Sequence, residues 1–422
     1  MLGKRTKAKP RAERIIAALD VGSSKVTTAI AVTGPDEAVP RIIGSHQMRC
    51  GGLQNGIVVD LKAAEKAIRV AVDRAERSAD TLIDEVVIGI SAGGLEADVE
   101  TVEIPISGQR VEEGDLETLR QQAVASINPG ERAVLHATSA LYSIDGQGEV
   151  LNPIGLHAHT LGAAIHLVMV DSAPLKNLDR AVRSADLDVA AVMAAPLASA
   201  SACLSKEERE IGVALVEIGA GVTNVAVFAR GMLAGFSSIP TGGADVTDDV
   251  ANALGTPRLS AERLKALKGS ASALPRDNHE LIDVPTIANP DEVVRRPRAE
   301  LVQAIRTRLD ILFGQVSERF EEIGFVGPRA NQVVLTGGGA ALTGISDYAE
   351  GMLGRRVRIG TPRGVADLPE AQMGPAYSAL IGLLLRAADD DPQAFEPGVA
   401  MTAKSAGGGA LGRMLHRLRE NF

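Results

Sequence analysis

The sequence predicts an α/β protein built from two similar lobes. Two segments 197 residues apart share one strand–turn–strand pattern, LDVGSSKVTTAI over 19–30 and VEIGAGVTNVAV over 216–227. A repeat at that distance points to duplication of a whole structural unit. Apolar strand-like runs alternate with helical periodicity along most of the chain. A third apolar run, VVLT, leads into three consecutive glycines, Gly337 to Gly339, and then a helical stretch.

Residues 15–32 read as strand, tight turn and strand. Residues 60–79 read as a helix, because Ala64, Ala67, Ile68, Ala71, Val72 and Ala75 recur at helical spacing. EVVIGISA (85–92) is a candidate buried strand. Residues 95–170 change in texture. An alternating strand from Val99 to Ile106, a helix after Glu112-Glu113 and strands near 132–144 and 160–170 suggest a small α+β insert. A helix over 174–186 leads toward the second hairpin. Residues 243–330 read as mostly helical, and the Pro-, Ser- and Asp-rich 269–299 includes exposed loop. NQVVLTGGGAALTGISDYAEGML is a strand, a glycine turn and a helix, and PAYSALIGLLLRAA is a further helix. From Asp389 to Gly409 the composition is that of a linker. The last dozen residues regain helical periodicity.

Composition excludes several functions. With 7 Phe, 3 Tyr and no Trp, base-stacking nucleic-acid platforms lack material. A net charge of −9 argues against broad binding to a phosphate backbone, so no nucleic-acid partner is expected. Cys50 and Cys203 are the only cysteines, too few for a disulfide framework or a Cys-rich metal site. His136, His157, His159 and His166 have no acid or Cys spacing that would make them metal ligands. No run of 18 apolar residues occurs, and Ile15 to Leu19 is too short for a signal sequence, so the expected compartment is the cytoplasm. Charge is unevenly spread: residues 1–14 carry +5 and residues 411–422 carry +2, which leaves −16 between them. Basic ends on an acidic body suit contact with an anionic surface, and two solvated tails would look the same.

The duplicated turns carry chemistry. Each places an acid, Asp20 or Glu217, at a strand end and a glycine, Gly22 or Gly219, two residues on. Gly and Ser let backbone N–H groups approach phosphate oxygens closely. The acid could hold a hydrated Mg²⁺, which prefers oxygen ligands. Lys25 can place a point charge on a phosphate. The bare backbone of Gly337 to Gly339 offers a flat surface to a nucleoside, with a helix N-terminus beside the phosphates. Any one of these turns is equally a simple hairpin or cap; three together point to a nucleotide.

In these motifs the chain resembles the actin-like ATPase superfamily, which includes actin, sugar kinases and heat-shock chaperone ATPases. The resemblance implies two lobes of duplicated ribonuclease-H-like domains closing over Mg-ATP. It implies that Asp20, Gly22, Ser23, Ser24 and Lys25 form the phosphate-1 motif, with Asp20 holding Mg²⁺ through water. Glu217, Gly219, Ala220, Gly221, Val222 and Thr223 match phosphate 2, and Gly242 and Gly243 are carried over as further nucleotide contacts. Gly337, Gly338, Gly339 and Leu342 match the adenosine motif, and Glu262 and Lys265 in SAERLK match the nucleoside contact. Pro196 and Tyr377 mark the two helices between the lobes. Glu217 stands where Asp is usual, Val222 costs one hydroxyl contact, and Ala195 replaces a carboxylate before Pro196. Without that acid a hydrolytic water lacks its orienting group. The expectation is an ATP-binding scaffold, at most a weak Mg-dependent ATPase, with Glu217 as the substitute base.

Residues 411–422 fall on a wheel at about 100° per residue with Leu411, Met414, Leu415, Leu418 and Phe422 on one stripe. Arg413, Arg417 and Arg419 lie on the other side. That is the pattern of an interfacial helix, apolar below and cationic at headgroup level. One copy should bind weakly, since a helix under ~12–15 residues is marginal in water. Several copies in a filament would bind with avidity.

The segment AVLHATSALYSIDGQGEVLNPIGLHAHTLGAAIHLV (133–168) narrows the resemblance to the FtsA family of bacterial cell-division proteins. Its Leu-His, Tyr-x-Ile-Asp and Asn-Pro-x-Gly-Leu pattern is similar to the family's 1C insert. The resemblance implies a flexible basic N-terminus over 1–13, subdomain 1A over 14–85 and 169–210, and 1C over 86–168. It implies 2A over 211–242 and 331–388, 2B over 243–330, a linker over 389–409 and a membrane-targeting helix over 410–422. It further implies self-assembly into filaments and peripheral attachment to the inner face of the cell membrane. By the same resemblance the protein anchors the FtsZ ring at the division site, through the FtsZ C-terminal peptide on 2B, and recruits later division proteins during septum formation. Arg295, Arg296 and Arg298 would suit an acidic peptide, although a solvated face looks the same. A pilus-assembly scaffold, or a slow ATPase or kinase of the superfamily, is the alternative.

Overall fold

The computed structural model describes residues 13–389 apart from 36, 93, 127–131, 290–291 and 328–330. Residues 1–12, the linker from 390 and the terminal stripe of Leu411, Met414, Leu415, Leu418 and Phe422 lie outside the described residues.

The chain starts with β1 (Arg14–Val21), β2 (Lys25–Thr33), β3 (Arg41–Arg49), β4 (Leu53–Gln54), β5 (Ile57–Val58), α1 (Leu61–Ala79) and β6 (Glu85–Ile90). An insert follows: β7 (Glu96–Pro105), α2 (Glu113–Ser126), β8 (Arg132–Ile144), β9 (Gln147–Val150) and β10 (Thr160–Asp171). The chain then returns through α3 (Ser172–Arg183), β11 (Asp188–Ala194), α4 (Ala195–Cys203) and α5 (Lys206–Ile211). The second lobe has β12 (Val213–Ile218), β13 (Thr223–Ala229), β14 (Met232–Ile239), α6 (Gly243–Leu254), α7 (Arg258–Lys268), β15 (Leu281–Pro285), β16 (Val293–Pro297) and α8 (Arg298–Ile323). It ends with β17 (Gln332–Thr336), α9 (Ile345–Leu353), β18 (Arg356–Ile359) and α10 (Ser378–Ala388).

Duplication is explicit in the sheets. One has the order β11-β6-β1-β2-β3 and the other β18-β17-β12-β13-β14. In each, a central strand pairs antiparallel with the next strand of its hairpin and parallel with a strand on its other side. The register repeats as well: Asp20 faces Thr27, and Glu217 faces Asn224. The insert is a separate antiparallel sheet, β7-β10-β8-β9, with α2 and its own small core.

Few aromatics means close approach. The α1 stripe of Ala64, Ala67, Ile68, Ala71, Val72 and Ala75 is buried as the spacing predicts. Asp60 accepts from Ala63 N–H at 3.0 Å to cap it. The helices α4 and α10 lie between the lobes and nearly touch. A methyl group at Gly382 would sit 1.8 Å from the Ala198 carbonyl oxygen, so only glycine fits there. Around these helices the core of the first sheet continues onto one face of the second. Three phenylalanines, Phe313, Phe320 and Phe325, are spent in the core of the second lobe. There Phe320 and Phe325 meet edge-to-face at 5.1 Å.

Two sequence expectations need correction. The mostly helical 243–330 also holds, within 269–299, the hairpin β15–β16. Its signal is the alternation of buried Ile282 and Val284 with exposed Leu281 and Asp283, hidden among prolines and acids. The triple-glycine turn does not run straight into an α-helix. Residues Gly338–Ala341 form a 3₁₀ turn, and α9 starts only at Ile345. Two exposed-looking arginines are also engaged: Arg298 pairs with the buried Asp277, and Arg296 with Glu300 at 3.2 Å.

Candidate functional site

Both duplicated turns close with the same bond. Gly22 N–H donates to the Lys25 carbonyl and Gly219 N–H to the Val222 carbonyl, each at 2.9 Å. The two turns face one another across a cavity of about 860 Å³, within the usual range for a small-molecule site. From the first lobe come Asp20, Gly22, Ser23, Ser24 and Lys25; from the second come Glu217, Gly219, Ala220, Gly221 and Val222. Gly243, Glu262, Lys265, Gly337, Gly338, Gly339 and Leu342 line the rest. Thr223 and Gly242 are not lining residues. The Thr223 hydroxyl donates to the Thr241 carbonyl at 2.8 Å, and Gly242 packs its backbone on the carbonyls of Gly219 and Ala220.

The helix that begins at the cavity is α6. Its first N–H groups are already engaged: Gly243 donates to the Gly219 carbonyl (2.9 Å), Ala244 to the Ala220 carbonyl (2.7 Å) and Gly242 to the Asp245 carboxylate (2.7 Å). These bonds fix the second turn to α6. Lys265, on α7, donates to the Gly243 carbonyl (2.8 Å) and Thr247 Oγ1 (2.7 Å) and pairs with Glu262 at 2.8 Å. That pairing and the Thr247 hydroxyl hold the Glu262 carboxyl below its usual range against the effect of burial. In the glycine turn, Gly337 has φ +82 and donates to the Pro375 carbonyl at 3.1 Å. A side chain at Gly338 would meet nothing within 4 Å, so its open side is free.

Glu217 is buried at 6 % exposure. Its Oε1 accepts from the Ser199 hydroxyl on α4, and its Oε2 accepts from Asn224 Nδ2 at 3.2 Å. Burial pushes this carboxyl up to about 7, helped by the nearby Asp20 charge and opposed by the two hydrogen bonds. Burial also raises Asp20, with Lys25 opposing. Ala195 lines the cavity at the head of α4, so the position before Pro196 contributes no acid.

Several site residues carried no sequence signal strong enough to single them out. Asn224 Nδ2 also donates to Ser91 Oγ of the first lobe at 2.7 Å, and Asn224 Oδ1 accepts from Ser238 at 2.7 Å. Asn224 therefore spans the cleft. The dipeptide Asn55-Gly56 joins β4 to β5 with positive φ at both residues, as a tight hairpin turn demands. Gly56 N–H donates to Ser23 Oγ at 2.8 Å, and a methyl at Gly221 would sit 2.4 Å from Asn55 Oδ1. The first lobe thus reaches across to the second turn. An Asn-Gly pair is a turn signal that sequence reasoning could have used.

Known proteins fit this architecture. Residues 214–382 match the family "Cell division protein FtsA", and residues 92–169 match "SHS2 domain inserted in FTSA". The second match covers the insert with its separate core. The cell division protein FtsA of Rhizobium meliloti (strain 1021) is 35% identical over 97% of this chain and 95% of its own length. That of Neisseria meningitidis serogroup B is 32% identical over 97% of this chain and 99% of its own length. A solved structure of a PilM-PilN type IV pilus biogenesis complex shares the fold, with a TM-score of 0.62 at 17% identity over 89% of this chain and 98% of that one. Duplicated sheets, the inserted domain and near full-length identity above 30% agree: the chain belongs to the FtsA family of cell-division proteins, on the two-lobed actin-like fold.

Proposed function

We propose that this protein binds ATP with Mg²⁺ in the cleft and acts as a scaffold that ties the FtsZ ring to the cytoplasmic face of the cell membrane. One observation carries the nucleotide part: both duplicated turns and the triple-glycine bend converge on one cavity with Asp20 and Glu217 facing it. Ser23, Ser24, Lys25 and the backbone of Gly219 to Gly221 would receive the phosphates. Gly337 to Gly339 and Leu342 would receive the nucleoside, with Glu262 and Lys265 as further contacts to it.

The donor set suits Mg²⁺. Two acids whose burial disfavours their charge share the cavity, and a hard cation held there with its waters would favour their charged forms. Asp20 is the residue that would hold it. Bound Mg²⁺ would neutralise phosphate charge. Glu217 is the remaining base for a hydrolytic water, but both its oxygens already accept hydrogen bonds and Ala195 adds no second acid. Turnover is therefore slow, which disfavours a kinase or chaperone reading.

The membrane part is carried by Leu411, Met414, Leu415, Leu418 and Phe422 opposite Arg413, Arg417 and Arg419. The linker from 389 spans roughly 25 Å r.m.s., at ~5–6 Å × √n. The FtsZ C-terminal peptide docks within 243–330, copies self-associate, and later division proteins join the assembly. The subdomain limits set out above belong to the same proposal.

A titration tests each part on the full chain: a fluorescent ATP analogue with and without Mg²⁺, an FtsZ tail peptide, and liposomes before and after deletion of 411–422. Saturable nucleotide and peptide binding is expected, with liposome binding lost on deletion. Absence of nucleotide binding overturns the cleft reading. Absence of peptide binding together with unchanged liposome binding overturns the tether.

A further inference from the structure

The two duplicated turns meet a third element, the tip of the β4–β5 hairpin. Asn55 and Gly56 form that tip, and both line the cavity. Toward the first lobe, Gly56 N–H donates to Ser23 Oγ at 2.8 Å. Gly56 also lies so close to the Ser91 carbonyl oxygen that a methyl group on it would come within 2.2 Å. Toward the second lobe, Asn55 packs on Gly221. A methyl at Gly221 would meet Asn55 Oδ1 at 2.4 Å, its Cα at 3.0 Å and its N at 3.1 Å. Gly221 does not have a positive φ, so its own backbone does not call for glycine. The close approach of Asn55 does.

This tip keeps two polar groups unspent. Ser23 Oγ accepts from Gly56, which leaves its own hydrogen to be donated, and no described residue takes it. The Asn55 amide forms no hydrogen bond with a described residue either. Residue 55 has φ +49, which among side chains suits Asn and Asp besides Gly. Glycine would bring no group to the cavity. Aspartate would bring a further anion beside Asp20 and Glu217. Asparagine is the one of the three that brings a donor, its Nδ2.

We propose that Asn55 is a specificity-determining residue that binds the outermost phosphate of a nucleoside triphosphate, so that the cleft holds ATP more tightly than ADP. The proposal deepens the nucleotide reading of the cleft and rests on it. With the nucleoside at the Gly337 to Gly339 bend, the phosphate chain runs between the two turns, and its last member reaches the place where both turns meet the hairpin tip. A diphosphate ends one group short. The third phosphate would join Asn55 and Ser23 of the first lobe to the second turn, and so would hold the lobes together.

Isothermal titration calorimetry on the full chain, with ATP and with ADP, each with Mg²⁺, compares wild type with Asn55→Gly and Asn55→Asp. Both substitutions put a residue before Gly56 that suits the tight turn, so the hairpin is kept. Loss of a hydrogen bond to an anion should weaken ATP binding by Asn55→Gly about tenfold or more, with ADP affinity within about twofold of wild type. Asn55→Asp sets an anion against the phosphate and should weaken ATP binding further, again with less effect on ADP. The ratio of ATP to ADP affinity must therefore fall in both variants. A ratio at or above the wild-type value in either one overturns the proposal, and Asn55 is then only a turn residue. Wild-type protein that binds neither nucleotide overturns the cleft reading and this proposal with it, an outcome distinct from an unchanged ratio.

Discussion

The ammonium group of Lys25 lies 3.8 Å from the centroid of the Tyr377 ring, and the Tyr377 hydroxyl donates to Gln47 Oε1 at 2.7 Å. The lysine that should meet a phosphate is thus held on an aromatic face. Burial lowers its affinity for a proton, while Asp20 nearby supports its charge. Asp20 in turn is raised by burial. Two opposite charges are both strained by desolvation, and a ligand carrying negative phosphates with a cation would relieve each.

Lys25→Met should therefore weaken ATP binding at least tenfold, because a charge-assisted contact is lost. Tyr377→Leu should instead act on stability: losing the cation–π contact costs about 0.5–2 kcal/mol, plus about 1 kcal/mol for the Gln47 bond. Tyr377→Phe keeps the ring face and should cost only the latter. Thermal unfolding and nucleotide titration of the three variants check this; equal ATP affinity for Lys25→Met and wild type would remove Lys25 from the site.

Glu217 sets a pH signature. Its folded-state value of about 7 lies above the ordinary glutamate range. Between roughly pH 4.5 and 7 the folded protein holds the proton more often than the unfolded chain, so this group's contribution falls as pH rises. At pH 8 the loss amounts to about 3 kcal/mol. Glu217→Gln is neutral throughout, and the Ser199 hydroxyl can turn to suit it. The variant should gain stability over wild type as pH goes from 5 to 8, while any ATP turnover disappears. A constant difference in melting temperature across that range would show that Glu217 does not titrate there.

His136 works in the opposite direction. Its Nε2 accepts from the Ala194 N–H at 3.0 Å, just before α4, so the ring must be neutral with its proton on Nδ1. Burial, with Arg386 adding to it, pushes this imidazole down to about 4. The unfolded chain binds the proton first, so stability falls as pH drops from about 6.5 towards 4, by up to about 3 kcal/mol. His166, also buried and lowered to about 4, adds a loss of the same sign. His136→Gln supplies an acceptor that does not titrate and should flatten the acid side of the stability profile by about half. An unchanged slope in urea unfolding at pH 5 and 7 would rule the histidine out as a cause.

Local patterns announced most of the fold, and distant pairings were silent. The paired acids and glycines gave the duplicated hairpins, and the register then placed Asp20 and Glu217 at equivalent positions. Ser199 lies 18 residues from Glu217 on a helix of small residues, and nothing in its neighbours marks it as the donor. Asn224 could have been found by counting across the second hairpin, but its bridge to Ser91 links residues 133 apart. The Asn55 contact with Gly221 depends on how the two lobes close, which no single stretch encodes. The Arg14 bond to α10 spans more than 370 residues and is equally invisible in sequence.

The three glycines of the turn Gly337 to Gly339 are not equivalent, and this separates a ligand site from a mere bend. A methyl at Gly337 would lie 2.5 Å from the Ile218 carbonyl oxygen with φ at +82, and one at Gly339 would lie 2.3 Å from Ile218 Cγ2. Alanine at either position should destabilise the protein by about 1–3 kcal/mol through overpacking, with more at Gly337 because the backbone is strained as well. Gly338 meets nothing, so Gly338→Asp should leave the melting temperature within a degree or two of wild type. Its carboxylate would enter the space where a nucleoside and its phosphates are proposed to sit. ATP affinity should then drop at least tenfold without loss of fold. If the Gly338→Asp protein is folded and binds ATP as wild type does, the bend is only a bend, and the nucleoside must lie elsewhere.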